Sequence, residues 1–188
     1  MIHPATAHFA IVLPIVALVF GLIYMFTKSE GMSKISSRLF VAAALAMIGV
    51  WYTGSQAGPE VYDYLSEAGQ ATLRDHKELG ELLAIAMGII ALIKFAGCQM
   101  KKFAIEALAV LLLLGATGAT LYQGKLGGEV TYNFGMPFKA YMMEDSLNEA
   151  VKAAEEEDSD EAKVTVYEDA IDEIKAFSEE QNALYGEK

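Results

Sequence analysis

The chain has 188 residues, 54% of them hydrophobic, and carries 25 acids against 14 bases for a net charge of −11. So few bases under so acidic a balance argue against a phosphate-binding surface, and against nucleic acid as a partner. The single cysteine, Cys98, excludes an internal disulfide, and there is no Walker loop, Rossmann glycine pattern, zinc-ligand cysteine pair or Gly-x-Ser-x-Gly elbow.

The apolar residues fall in four blocks. The first runs from Ala5 to Phe26 without a charge, long enough for a bilayer core that takes about 20 residues of helix. No Lys or Arg precedes Lys28, so this block reads as a retained helix rather than a signal peptide. Pro4 suits a first helical turn, and Pro14 in mid-span frees the carbonyl of Ala10. Leu39 to Ala57, Leu79 to Gly97 and Phe103 to Tyr122 follow, each flanked by charge. The expected architecture is all-α: a four-helix transmembrane bundle over residues 1–136, with spans at about 4–27, 38–57, 77–97 and 102–123, joined to an extramembranous acidic helical tail over 137–188. No internal repeat stands out.

Within the bundle, Gly54 with Gly58 and Gly115 with Ala119 read as close helix contacts, and Trp51, Tyr52 and Tyr122 as an aromatic belt. Glu106 lies one turn after Lys102 and is expected to pair with it. Met136, Met142 and Met143 are spaced too irregularly for a copper site and read as loop packing.

Charge divides the chain. Residues 1–138 hold nine acids and nine bases, which leaves 16 of the 25 acids and 5 of the 14 bases to the tail. Two helical stripes are readable there, Ala140, Met143, Leu147, Val151 and Ala154, then Val164, Tyr167, Ile171, Ile174 and Phe177. Ser159 or Asp160 is the expected N-cap between them, and the stripes suggest an antiparallel hairpin that buries one against the other. Such an acidic face favours a basic partner, for example a periplasmic c-type cytochrome. Lys28, Lys34 and Arg38 in the first connection and Lys94, Lys101 and Lys102 in the third place those connections in the cytoplasm. Both termini then face outward, in a multi-pass protein of the bacterial inner membrane.

A histidine in a membrane helix is costly unless it faces the bundle, a ligand or water, so the three histidines are candidate site residues. His8 and His76 come at comparable depth on separate helices and are positioned to ligate a haem b iron from both faces. Gly80, one turn below His76, leaves room for a flat macrocycle. His3 precedes His8 by five residues, about 140° of helix rotation, and is assigned a lesser, neighbouring part.

The opening His3-Pro4 with His8-Phe9, His76 at the head of the third helix, and the closing Gly127-Gly128-Glu129-Val130-Thr131-Tyr132 with Gly135 resemble the bacterial family of predicted four-helix membrane proteins catalogued as domain of unknown function 2231. The resemblance covers about residues 1–136. Family members typically read Tyr-x-His-Gly at the end, where this chain has Phe134. If the family uses its histidines as two pairs, this chain keeps one, and His8 with His76 is the pair retained. Fusion of relatives to c-type cytochrome domains implies electron transfer in the envelope. The leading expectation is therefore a b-type haem protein passing electrons at the outer face. A second is a copper or zinc protein using His3, His8 and His76, with water or Glu78 completing the shell. A third is a structural membrane subunit, homo-oligomeric or docked to a partner through its tail.

Overall fold

The computed structural model describes residues 2–63, 65–134 and 138–185. Gly135, Met136 and Pro137, which the sequence reading used, lie outside them. Among the described residues six helices form: α1 (His3–Thr27), α2 (Glu30–Tyr62), α3 (Glu67–Gln99), α4 (Phe103–Tyr132), α5 (Phe138–Glu155) and α6 (Asp160–Tyr185). The chain divides into two compact units, Met1–Asp63 with Gln70–Gly127, and Tyr64–Gly69 with Gly128–Lys188.

The first four helices are long and apolar enough to cross a membrane. Half of their buried cluster is alanine, Ala10, Ala17, Ala43, Ala44, Ala84, Ala91, Ala109 and Ala116, and the other half is larger, including Phe40, Met47, Leu83, Met87, Ile90 and Leu113. Many large aliphatics point the other way, with Val12, Val19, Leu45, Ile48, Leu82, Ile85, Ile89, Leu92, Leu111 and Leu114 exposed. Water would penalise that arrangement. Hydrocarbon does not, and helix association in lipid favours the close approach that small residues permit. Helices α2 and α3 run past the apolar windows at both ends, because a helix can continue into the interface once its backbone bonds are satisfied.

The turns within the two hairpins share an unusual conformation. Lys28 ends α1 with φ 51°, its N–H bonded to the Tyr24 carbonyl at 2.7 Å. Lys101 follows α3 with φ 52°, flanked by a bond from the Lys102 N–H to the Gly97 carbonyl at 2.9 Å. Both are left-handed C-terminal caps, where glycine is the usual residue. They are separated by 73 residues (28 to 101), and so are many other features. Helices α2 and α4 begin 73 apart (30 to 103). Ala10 and Leu83, Ala17 and Ile90, Phe40 and Leu113, Ala43 and Ala116, and Met47 and Thr120 are all buried and all 73 apart. The bundle is thus two copies of one helical hairpin, α1–α2 and α3–α4. Almost no residue identity survives between them, which is why the sequence shows no repeat.

At the lysine-rich end the copies are joined by a buried charge. Lys94 and Glu106 have side chains 0% and 2% exposed and are hydrogen-bonded to each other. Glu106 is therefore not paired with its neighbour Lys102, as expected, but with a lysine on α3. Its Oε1 accepts the Tyr24 hydroxyl at 2.7 Å and its Oε2 the Ser33 hydroxyl at 2.6 Å. The ammonium stands 4.4 Å from the Tyr24 ring centroid and 5.8 Å from that of Phe40. All four helices contribute a member, and every strong hydrogen-bonding group of the pair has a partner, which is the condition under which such a pair is tolerated in a low-dielectric interior.

In the second unit, α5 and α6 form the expected hairpin with Ser159 as N-cap, its Oγ accepting the Ala162 N–H at 3.2 Å. The interface keeps only part of the expected stripes. Ala154 is buried and Ile174 and Phe177 are half-buried as expected, but Ala150 and Ala170 complete the seam while Leu147, Val151, Val164, Tyr167 and Ile171 remain exposed. Alanines at the contact let the helices approach closely, and the larger side chains flank the seam instead of filling it.

Removing one member of the buried pair should be far worse than removing both. Lys94→Met is expected to cost about 3–5 kcal/mol by stranding a carboxylate, and Lys94→Met/Glu106→Met to recover most of it. Thermal unfolding in detergent, followed by circular dichroism, would measure both.

Candidate functional site

At the opposite end of the bundle, about 30 Å along α1 from Tyr24, a second polar cluster lies between the copies. His3 falls on the first turn of α1 and His76 on the third turn of α3. Their ring centroids are 6.3 Å apart with planes at 82°. They are equivalent residues of the repeat, 73 apart (3 to 76), and equivalent residues that meet do so where two copies are related by a two-fold.

Each ring is held by its own hairpin. His3 Nδ1 lies 3.3 Å from Thr53 Oγ1, which is in turn 2.8 Å from Thr6 Oγ1 and 3.1 Å from the Val50 carbonyl. His76 Nδ1 donates to the Gln123 carbonyl at 3.2 Å, and Gln123 Nε2 donates back to the His76 carbonyl at 2.6 Å. Gln123 stands where the first copy has Val50 (50 to 123). Because a carbonyl only accepts, Nδ1 of His76 carries the proton and Nε2 keeps its lone pair, the tautomer a metal ligand requires.

Glycines shape the space around both rings. A Cβ on Gly54 would stand 2.8 Å from His3 Cε1, and one on Gly127 would stand 3.0 Å from His76 Cε1. These two positions are again equivalent, 73 apart (54 to 127). Gly54 thus serves the histidine rather than a helix–helix contact. Gly80, expected to make room for a macrocycle, gives that room to Gln123, whose Nε2 would lie 2.9 Å from a Cβ there. Gln123 Oε1 is buried without a hydrogen-bond partner among the described residues, an unused acceptor on the side chain that bonds the His76 carbonyl.

His8 takes no part in this cluster. It is exposed, with Nδ1 2.8 Å from the Pro4 carbonyl of its own helix. The pair the structure brings together is His3 with His76, and helix geometry explains it. The buried stripe of α1 is Ala10, Pro14, Ala17, Gly21 and Tyr24. His3 precedes Ala10 by seven residues, nearly two full turns, and so lies on that stripe, whereas His8 precedes it by two, about 200° round. Glu78 is exposed, and among the described residues no group of three or more His, Cys, Asp and Glu is placed to hold a metal ion. Phe134 packs against Gly69, where an added Cβ would meet its ring at 3.0 Å.

Two imidazoles that bind one metal from opposite sides through Nε2, at about 2 Å each, have centroids about 6 Å apart. The observed centroid spacing is of that size, with the two rings edge to face. The donor set is two neutral nitrogens and an amide, which suits a ligand that brings the rest of its own coordination.

A family model described as a predicted membrane protein (DUF2231) matches residues 1–140. That is more than half of the 188 residues, and the chain belongs to this family. No curated protein and no solved structure matches it.

Gly54→Ala and Gly127→Ala should displace the imidazole each glycine faces, changing the side-chain nitrogen shifts of His3 and His76 respectively in ¹⁵N NMR. Gly58→Ala, which meets nothing within 4 Å, should leave both sets unchanged.

Proposed function

We propose that this member of the DUF2231 family is a membrane electron carrier that holds one haem b at the histidine end of its bundle, with His3 and His76 as the axial ligands. The observation that carries the reading is the 6.3 Å spacing of two repeat-equivalent imidazoles. The Gln123 carbonyl fixes the His76 tautomer, and Thr53 stands against the His3 ring. A haem held by these two residues would supply one-electron chemistry.

The family resemblance offers His8 as a ligand, and its exposed position speaks for His3 instead. A copper or zinc ion takes three or four protein donors, whereas the cluster offers two histidines, so the macrocycle, which brings four nitrogens, suits the donor set better. Gln123, bonded to His76, has an unpaired buried oxygen and is the side chain that would yield room to a ligand or bond to it. The Lys and Arg of the α1–α2 and α3–α4 connections support an orientation with those turns in the cytoplasm and the histidine end at the outer face of the inner membrane.

Protein made with adequate haem should show, when reduced, the sharp α and β bands of a low-spin b-type centre. His3→Ala or His76→Ala should abolish them, and His8→Ala should leave them intact. A colourless protein with stoichiometric copper or zinc would transfer the site to a metal ion, and a colourless metal-free one would leave a structural role. For the orientation, a reporter active only in the periplasm should give signal when fused after Lys188; signal from a cytoplasmic reporter instead would reverse the placement of the histidine end.

A further inference from the structure

The face of the α5–α6 hairpin left bare by its alanine seam points to a protein partner. On α5 the seam runs through Ser146, Ala150 and Ala154, and on α6 through Val166, Ala170 and Ile174. Leu147 and Val151 each follow a seam residue by one position, a rotation of about 100°, and so do Tyr167 and Ile171 on the other helix. In an antiparallel pair such equal rotations turn both helices toward the same side. Leu147, Val151, Val164, Tyr167 and Ile171 therefore share one face, each between 40% and 55% exposed. At the open end of the hairpin, Met142, Met143, Ser146, Glu173, Ile174 and Phe177 line a small cavity.

One position further round lie Glu144, Asn148 and Lys152 on α5 and Glu168 and Asp172 on α6, all exposed, with Asp172 bonded to Lys175 at 2.9 Å. The surface is an apolar stripe with an edge that is acidic on balance, in a segment with 16 acids and 5 bases. That charge selects the occupant. A second copy would bring the same edge and the same net charge, and like charges set against each other are costly. Anionic headgroups would be repelled in the same way. A protein carrying an apolar patch ringed by lysines satisfies both features at once, since its ammonium groups meet the edge and its apolar centre covers the stripe.

We propose that this face docks a cationic protein, with Leu147, Val151, Tyr167 and Ile171 as the apolar anchors and Glu144, Glu168 and Asp172 as the steering edge. The geometry is independent of any group bound between His3 and His76.

The test is photo-crosslinking of the full-length protein in its native membrane, with the photoreactive residue at Val151 or Ile171 and a control at Glu156 in the connecting loop. The expected result is an adduct with a protein of basic isoelectric point from positions 151 and 171 and not from 156. Its yield should fall about tenfold in the Glu144→Gln/Glu168→Gln/Asp172→Asn variant, the loss expected when steering charges are removed. Those three side chains are exposed, and unchanged helicity by circular dichroism would show that the hairpin is intact. A Leu147→Ser/Tyr167→Ser variant should lose the adduct as well. An adduct with a second copy of the chain, with lipid alone or with an acidic protein would overturn the proposal. So would the absence of any adduct, or a yield indifferent to the edge charges.

Discussion

A charge in hydrocarbon must be met by a partner from the protein, and the first four helices are tied together by that requirement. Lys94 and Glu106 come from the two helices of the second hairpin, yet the carboxylate is completed by Tyr24 and Ser33 from the first. Neither hairpin alone could bury the pair with all its bonds made. Apolar contacts in lipid are nearly indifferent to register, since lipid tails are as apolar as the side chains they replace. The polar cluster is not indifferent. A one-residue slip of any helix would leave an acceptor or a donor without its partner at a cost of several kcal/mol, so the cluster fixes the register that also sets His3 against His76.

The two polar centres stand at opposite ends of the same repeat and differ in what the copies have kept. At the histidine end the equivalence is retained, with imidazole facing imidazole, each ring against a glycine 51 residues further on (3 to 54, 76 to 127). At the lysine end it has been broken. Ser33 of the first copy meets Glu106, its own counterpart in the second, and Gly21 stands where the second copy has Lys94 (21 to 94). A two-fold suits a ligand bound symmetrically by identical donors, whereas an ion pair needs unlike residues. The two ends have diverged in the direction their chemistry demands.

Four spans, an acidic helical hairpin with a serine cap and the family itself were all legible in the sequence, because apolar length, charge segregation and capping chemistry are local signals. The histidine pair was half legible. His76 reads as a candidate from its place at a helix head, but choosing between His3 and His8 required the small-residue stripe of α1, which marks the inward face in a membrane helix where large aliphatics would mark it in a soluble one. The partner of Glu106 was hidden for a different reason. Lys102 is four residues away on the chain, while Lys94 is reached only through the turn around Lys101, whose left-handed conformation no glycine announces. The 73-residue repeat was invisible as identity and is plain as burial, since each copy keeps the inward positions while exchanging alanine for leucine or methionine for threonine.

The same inversion separates the two units of the chain. In the bundle, alanines make up half of the buried cluster and many large aliphatics face outward, where the surroundings are lipid and exposed leucine carries no penalty. The α5–α6 hairpin uses the same pattern, alanines in the seam and Leu147, Val151, Tyr167 and Ile171 outside it, but its outside is edged with carboxylates that hydrocarbon would not accept. An arrangement that lipid explains in one unit is left unexplained by water in the other. A hairpin selected only to be soluble would have turned those four side chains into its own seam, where burying them would stabilise it by about 1.5–3 kcal/mol each. That alanines carry the seam instead leaves the larger residues exposed, beside an edge that is acidic on balance.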